Sequence, residues 1–170
     1  TSVGYSSDFL TFSSGSGKMK YFKKSFPFKK YDYLFESPGP GCSFVLTKNL
    51  VEKIKILLND KSVGAKNFLY HDWLFYAFAR SNNISWCIDD APNLFYRQHS
   101  SNYMGANLSL KAFIKRAHRV LSGQWFFEVN QLISILKIKG LYKMSSKSRF
   151  NYFLLHFYHT RRKFTHSVIM

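Results

Sequence analysis

Apolar residues recur with helical spacing in five segments of the chain. In residues 50–58 the apolar side chains fall three and four positions apart, so they lie on one face of a helix. Asn49 is the expected N-cap of this helix. The same spacing predicts helices over residues 68–80, 110–121, 125–138 and 148–164, of which the first should end at Asn82 and Asn83.

Shorter segments have the pattern of strands. Residues 42–47 form a short apolar run that predicts a buried strand or a turn, and residues 84–88 and 93–97 predict two strands. Residues 13–18 are rich in Ser and Gly and predict a flexible loop, whereas residues 18–30 alternate Lys with aromatics and have no clear assignment. We therefore expect an α/β fold with two to four strands packed against helices, followed by a mostly helical extension.

The composition supports one domain with a substantial core. The chain has 170 residues, of which 46% are hydrophobic and 19% aromatic, so extensive disorder is not expected. No apolar run reaches the length of a membrane-spanning helix. The two cysteines, Cys42 and Cys87, have neither zinc-site nor disulfide spacing, and we expect them to be buried free thiols.

Positive charge is concentrated in the second part of the chain. The net charge is +16, and residues 108–170 contain 12 basic side chains with Glu128 as their acidic one. Such a field attracts phosphate groups, either of nucleic acid or of an anionic membrane. The basic run from Arg161 to Lys163, next to Phe164, suits a membrane surface.

Three motifs occur in a fixed order. A loop rich in Pro and Gly spans residues 37–41, His71-Asp72-Trp73 begins the aromatic helix, and Tyr96-Arg97-Gln98-His99 is followed by Asn102 and Gly105. In these motifs the chain resembles the second half of the catalytic domain of family 2 glycosyltransferases, and it is most similar to the bacterial rhamnosyltransferase-like members. The resemblance covers roughly residues 35–107.

The resemblance implies roles for particular residues. Asp72 matches the general base that takes the proton of the acceptor hydroxyl in an inverting transfer. Arg97 and His99 would stabilise the charge of the leaving diphosphate, and His71, Trp73 and Asn102 would lie on the acceptor side. Simpler alternatives remain open: Asp72 as an N-cap, Trp73 as a core residue, and Arg97 as the ion-pair partner of Asp89 or Asp90.

The family's nucleotide-binding strands and its Asp-x-Asp metal motif should lie upstream of this segment. Nothing in residues 1–34 resembles a βαβ unit, and a turn is the expected structure of the Asp89-Asp90 pair. The resemblance thus implies the C-terminal half of a GT-A domain, with the acceptor-side part in residues 1–107 and a basic helical extension in residues 108–170. A divalent metal, Mg or Mn, is implied with its ligands outside this chain, and we expect the isolated segment to be inactive.

Three hypotheses of function follow. The first is an inverting hexosyltransferase that moves a sugar, rhamnose by resemblance, from a nucleotide sugar to a glycan or lipid-linked acceptor of a bacterial surface polysaccharide such as O-antigen. It would be cytoplasmic and peripheral at the inner face of the cell membrane, bound to anionic lipid and not to nucleic acid. The second is a basic module that binds nucleic acid or a membrane surface without catalysis. The third is an inactive remnant that binds a partner.

Overall fold

The fold is organised around one central strand. In the computed structural model, which describes residues 3–13, 19–98, 114 and 118–163, four strands form a mixed sheet: β1 (Val3–Ser13), β2 (Met19–Phe22), β3 (Val45–Leu46) and β4 (Ser85–Gln98). β4 is parallel to β1 along its whole length, whereas β2 and β3 are antiparallel to opposite halves of β1. With helices packed against this sheet, the predicted α/β class is confirmed.

β4 is one irregular strand, so the prediction of two strands with a turn between them was wrong. Its parallel ladder with β1 runs from the pair Val3–Ser85 to the pair Ser13–Gln98, with register shifts on both sides of Asp8. The extra residues lie near Pro92, which has no N–H to donate to a ladder and is tolerated where the register shifts. The Asp89 side chain accepts a hydrogen bond from the backbone N–H of Ala91 at 2.9 Å, a bond over two residues that is typical of turns.

The strands β1 and β2 had not been predicted. They form an antiparallel pair in which Phe9 lies opposite Phe22, and the two rings stack with centroids 5.3 Å apart. The aromatic residues of β2, in the lysine-rich segment, pack against β1 across the strand pair. The alternation of lysines and aromatics does not show which segment is their partner.

Four helices are described in full: α1 (Lys48–Asn59), α2 (His71–Ser81), α3 (Gln124–Ile135) and α4 (Ser146–Leu155). The expected N-cap Asn49 is wrong, because Thr47 occupies the N-cap position of α1; its hydroxyl makes no bond to the first turn and accepts the N–H of Val3 at 3.0 Å instead. The end of α2 is confirmed, with Asn82 as C-cap and Asn83 at a φ of 55°. α4 ends at residue 155 and is followed by a 3₁₀ turn, so the prediction of a helix up to residue 164 was wrong. Residues 110–113 and 115–117 of the helix predicted over 110–121 lie outside the described residues.

One hydrophobic core includes residues from the sheet, from the segment before β3 and from all four helices. α3 and α4 contribute Val129, Leu132, Ile133 and Phe153, which pack with Tyr31, Leu34 and Phe35. The core closes tightly at Gly4, where an added Cβ would lie 2.3 Å from the ring of Trp86. Cys42 and Cys87 are exposed, so the expectation of buried thiols was wrong.

Candidate active site

Asp72 lies in the first turn of α2 and is partly buried. Its Oδ1 accepts the backbone N–H of Trp73 at 2.8 Å, while no hydrogen bond from a described residue reaches its Oδ2. Asp72 therefore presents one anchored oxygen and one oxygen that can accept a proton.

The proline–glycine loop, residues 37–41, packs directly against this turn. A Cβ built at Gly41 would lie 2.9 Å from Nε2 of His71 and 3.3 Å from Cβ of Asp72, so a glycine allows the closest approach. The loop also contacts β1, since the hydroxyl of Ser6 donates to the carbonyl of Pro38 at 3.5 Å. The loop thus connects the central strand to the start of α2.

His71 and Trp73 flank Asp72 but have different surroundings. His71 is exposed and its ring meets the edge of Phe75 with centroids 6.0 Å apart, so it lies at the surface beside Asp72. Trp73 is 6% exposed and its indole N–H donates to the carbonyl of Tyr33 at 2.9 Å. This burial favours the packing alternative for Trp73, whereas His71 is accessible to a bound acceptor.

Arg97 does not lie in this group. Arg97 is exposed on β4 opposite Phe12, five residues along β1 from Ser7, whose carbonyl lies next to Gly39. At a rise of roughly 3.3 Å per residue this separates Arg97 from the loop by about 16 Å along the strand. His99 and Asn102 lie outside the described residues. Asp89 bonds Tyr5 and Asn93, and Asp90 is exposed.

A further charged side chain near Asp72, which the sequence did not single out, is Lys24. Lys24 is partly buried and interacts electrostatically with Glu36 and Asp72. Burial lowers the pKa of Lys24, although the two carboxylates act in the opposite direction. Lys24 belongs to the segment of alternating lysines and aromatics, where the sequence offers no signal that selects one lysine.

Asp8 fixes the backbone beside Lys24. Its fully buried carboxylate accepts the N–H groups of Lys24 and Ser25 at 2.5 and 2.8 Å, the hydroxyl of Ser25 at 2.9 Å, and the hydroxyl of Tyr21. Burial raises the pKa of Asp8, but these donors outweigh it, so the pKa lies below its usual value. The hydrogen bond that the Tyr21 hydroxyl donates to Asp8 raises the pKa of Tyr21 to about 12.

Arg162 reaches the proline–glycine loop from the end of the described chain. It is 4% exposed, and its backbone N–H and Nε donate to Glu36 Oε1 at 2.6 and 3.2 Å while its terminal nitrogen donates to the carbonyl of Ser37 at 2.8 Å. Burial raises the pKa of Glu36, but the Arg162 guanidinium outweighs it and the pKa is lowered. The expectation that Arg162 faces a membrane was wrong, because the partly buried Glu36 and a second, fully buried carboxylate hold it inside.

The second of these carboxylates is Asp32, which is fully buried. It is 3.1 Å from Arg80 and 3.7 Å from Arg162, and it accepts the hydroxyl of Tyr76 at 2.9 Å. Burial raises the pKa of Asp32, and the two arginines and the tyrosine hydroxyl compensate only in part.

Neither a metal cluster nor a spanning helix occurs in the described ranges. Residues 3–13, 19–98 and 118–163 contain no group of three or more His, Cys, Asp or Glu side chains placed to hold a metal ion. In the same part of the chain, no helix has the length and apolarity needed to cross a bilayer.

The chain is similar to a curated bacterial enzyme. It is 39% identical over 133 residues to the dTDP-rhamnosyl transferase RfbG of Shigella flexneri, an alignment that covers 78% of this chain. The resemblance to rhamnosyltransferase-like glycosyltransferases is confirmed. The chain spans about half the length of this relative, with 45% of it aligned. No protein-family model matches the chain, and no solved structure matches it.

Proposed function

We propose that the chain forms the acceptor-side part of an inverting glycosyltransferase of family 2 with a GT-A domain. The observation that supports it most is the position of Asp72, with one oxygen anchored at the start of α2 and the other unbonded among the described residues. The exposed imidazole of His71 lies next to it, and Gly41 keeps the adjoining surface free of a side chain. The RfbG relative is a transferase by name, which supports the same class of reaction.

In the proposed reaction Asp72 acts as general base. Its Oδ2 takes the proton of an acceptor hydroxyl while the hydroxyl oxygen forms a bond to the anomeric carbon of the donor sugar. The bond between that carbon and the diphosphate breaks on the opposite face, and the nucleoside diphosphate leaves with the electron pair. His71 is placed to bind the acceptor. Arg97, His99 and Asn102 remain candidates for binding the diphosphate and acceptor.

The donor is proposed to be a dTDP-linked rhamnose, which follows the name of the relative. A glycan or lipid-linked acceptor of a surface polysaccharide remains the proposed partner. The Mg or Mn ion that the family implies enters no step described above, since its ligands are expected outside this chain.

The base assignment is tested with Asp72→Asn in the complete gene product. The asparagine keeps the size of the side chain and an oxygen for the N–H of Trp73, but it cannot take a proton. We expect kcat to fall by about 10²–10⁴-fold, the usual contribution of a positioned base. Asp60→Asn is a matched control, because Asp60 caps the end of α1 and bonds Ser62 at the surface. Near-normal transfer by Asp72→Asn would sink the assignment.

A membrane-facing surface is proposed on α4 and the 3₁₀ turn after it. Leu155 is 82% exposed and Tyr158 51% exposed, and Lys143 and Lys147 are exposed just before them. Beside Tyr158 lies Lys29, whose Nζ is 4.0 Å from the centroid of the tyrosine ring. Exposed apolar and aromatic side chains combined with lysines match the interface of an anionic bilayer, with apolar groups at the acyl boundary and ammonium groups at the phosphates. The proposed location is therefore cytoplasmic, peripheral at the inner face of the membrane.

This surface is tested by flotation with vesicles. We expect the protein to float with phosphatidylglycerol vesicles and not with phosphatidylcholine vesicles, and Leu155→Ser to weaken flotation. The exposed Ile56→Ser, on α1, is the control. Equal recovery of both variants with the vesicles would count against the surface. Binding of the protein to duplex DNA, at a phosphate concentration equal to that of the vesicles, would favour the nucleic-acid alternative.

A further inference from the structure

The buried Arg162 connects the end of the described chain to the proposed active site. Its donors reach Glu36 and the carbonyl of Ser37, which are the residue before the proline–glycine loop and the first residue of that loop. An arginine that bonds a carboxylate and a carbonyl at once fixes the direction of the chain between them, because its guanidinium is planar and rigid. The entry into the loop is thus set by a side chain more than a hundred residues away.

From that entry the loop is held by its own hydrogen bonds. The Ser37 hydroxyl donates to the carbonyl of Gly39 at 2.7 Å, and the hydroxyl of Ser43 donates to the carbonyl of Pro40 at 2.8 Å. Gly41, between these two anchors, lies against His71 and Asp72. A displacement of Ser37 would therefore pass along a short and internally bonded segment to the turn that carries Asp72.

We infer that Arg162 is a positioning residue for the transfer reaction, acting through the proline–glycine loop on the Asp72 turn. The inference depends on the proposed function, in which Asp72 is the base. Arg162 does not touch the substrate in this scheme. Its effect belongs to the chemical step, because a general base displaced from its proton by about 1 Å can lose up to about a hundredfold in rate.

The experiment uses the complete gene product, a soluble acceptor and the variants Arg162→Met and Arg162→Lys. We expect Arg162→Met to lower kcat by about 10- to 100-fold with a smaller change in the donor KM. Lysine keeps the charge beside Asp32 and Glu36, so Arg162→Lys should fold even if the methionine variant does not, and should lower kcat by about tenfold because it lacks the fork. Lys163→Met, an exposed neighbour, is the control.

Coupling to Asp72 separates positioning from a merely structural role. We expect Arg162→Lys to slow the wild-type enzyme but to have little further effect in the Asp72→Asn background, because the base is then already lost. A lower melting temperature with unchanged kcat would overturn the inference, as would an equal loss of kcat in both backgrounds.

Failure of the proposed function has a different signature. If Asp72→Asn transfers normally, the base assignment fails whatever Arg162→Lys does. The inference about Arg162 then fails with it, because it acts on a base that does not exist. If Asp72→Asn lowers kcat and Arg162→Lys leaves it unchanged, the base assignment stands and only the inference is overturned.

Discussion

Two fully buried aspartates lie at the two ends of the segment that leads into the proposed site, and they are held in opposite ways. Asp8, on β1, is surrounded by neutral donors from Tyr21, Lys24 and Ser25. Asp32, at the start of a 3₁₀ turn, is bound by Arg80, Arg162 and Tyr76. The pKa of Asp8 is lowered, whereas that of Asp32 is raised.

The difference shows that opposite charge nearby does not by itself determine the pKa of a buried carboxylate. The four donors of Asp8 all lie within 2.9 Å of its oxygens. At Asp32 the Tyr76 hydroxyl is as close, but Arg80 is 3.1 Å away, and Arg162 is 3.7 Å away and also bonds Glu36. Close donors compensate for lost hydration more completely than shared and more distant charges. The partners of Asp8 therefore come from the neighbouring residues 21–25, whereas Asp32 depends in part on Arg162, a residue far along the chain.

The largest expected effect follows from removing the charge of Arg162, one of the two arginines beside Asp32. Arg162→Met leaves Glu36 and Asp32 with less neutralising charge in a buried place, so the free energy of unfolding should fall by about 3–5 kcal/mol. Urea unfolding at pH 7 measures it. Lys163→Met should change stability by less than about 0.5 kcal/mol, and a similar loss in both variants would contradict the account.

A smaller loss is expected in the Asp8 region. Asp8→Asn replaces an acceptor carboxylate by an amide whose NH₂ group faces donors, so the free energy of unfolding should fall by about 1–3 kcal/mol. The same urea titration measures it, and hydrogen exchange at the N–H groups of Lys24 and Ser25 should accelerate. Unchanged protection of both amides would show that Asp8 does not hold them.

The pH dependence separates the two aspartates by sign. Because the pKa of Asp8 is lowered on folding, its contribution is complete above about 3.8 and is lost as the pH falls through the lower folded value. The raised pKa of Asp32 acts in reverse, since the folded state takes up the proton first and gains stability as the pH falls toward 3.8.

The stability advantage of wild type over Asp8→Asn should therefore shrink in acid, while that over Asp32→Asn should grow between pH 7 and 4. Urea midpoints measured from pH 7 to below 3.8 give both differences, because the Asp8 contribution changes only in the acid part of this range. Parallel curves for the two variants would mean that the arginines dominate at Asp32 after all.

The smallest effect is expected at a surface ion pair. Lys55 and Glu52 approach to 2.9 Å on α1, but both side chains are more than half exposed. Glu52→Gln should change the free energy of unfolding by less than about 0.5 kcal/mol, because solvent and salt screen such pairs. A loss comparable to that of Arg162→Met would contradict the importance given to burial.

Local patterns predicted the helices well. The cores of α1, α2 and α3 follow from apolar spacing, and the end of α2 at Asn82 follows from residues that tolerate a positive φ. The N-cap position of Thr47 was missed because its hydroxyl bonds Val3 and not the first turn of α1, a contact with no local signature. β1 was missed for a related reason: its partners are distant segments, and Ser6, Ser7 and Asp8 interrupt the apolar pattern of a strand buried by pairing on both edges.

The parts of the candidate site that lie in a sequence motif were predicted. Asp72 and the proline–glycine loop were found from the sequence, and the structure places them in contact through Gly41. Glu36 and Arg162 were not found as partners, since they are 126 residues apart and each looks like an ordinary surface charge. The assigned roles of Asp72 and His71 stay predictions until transfer is measured.

The parallel pairing of β1 with β4 has a consequence for biosynthesis. β1 precedes β4 by more than seventy residues, so during synthesis the central strand emerges long before its longest partner exists. Until then β1 has an unpaired edge with aromatics such as Phe9 beside it, which is the kind of surface on which nascent chains aggregate. Contacts of such sequence separation also slow folding. We therefore expect a refolding rate limited by docking of β4, and a dependence on chaperones during overexpression that shorter-range α/β folds do not show.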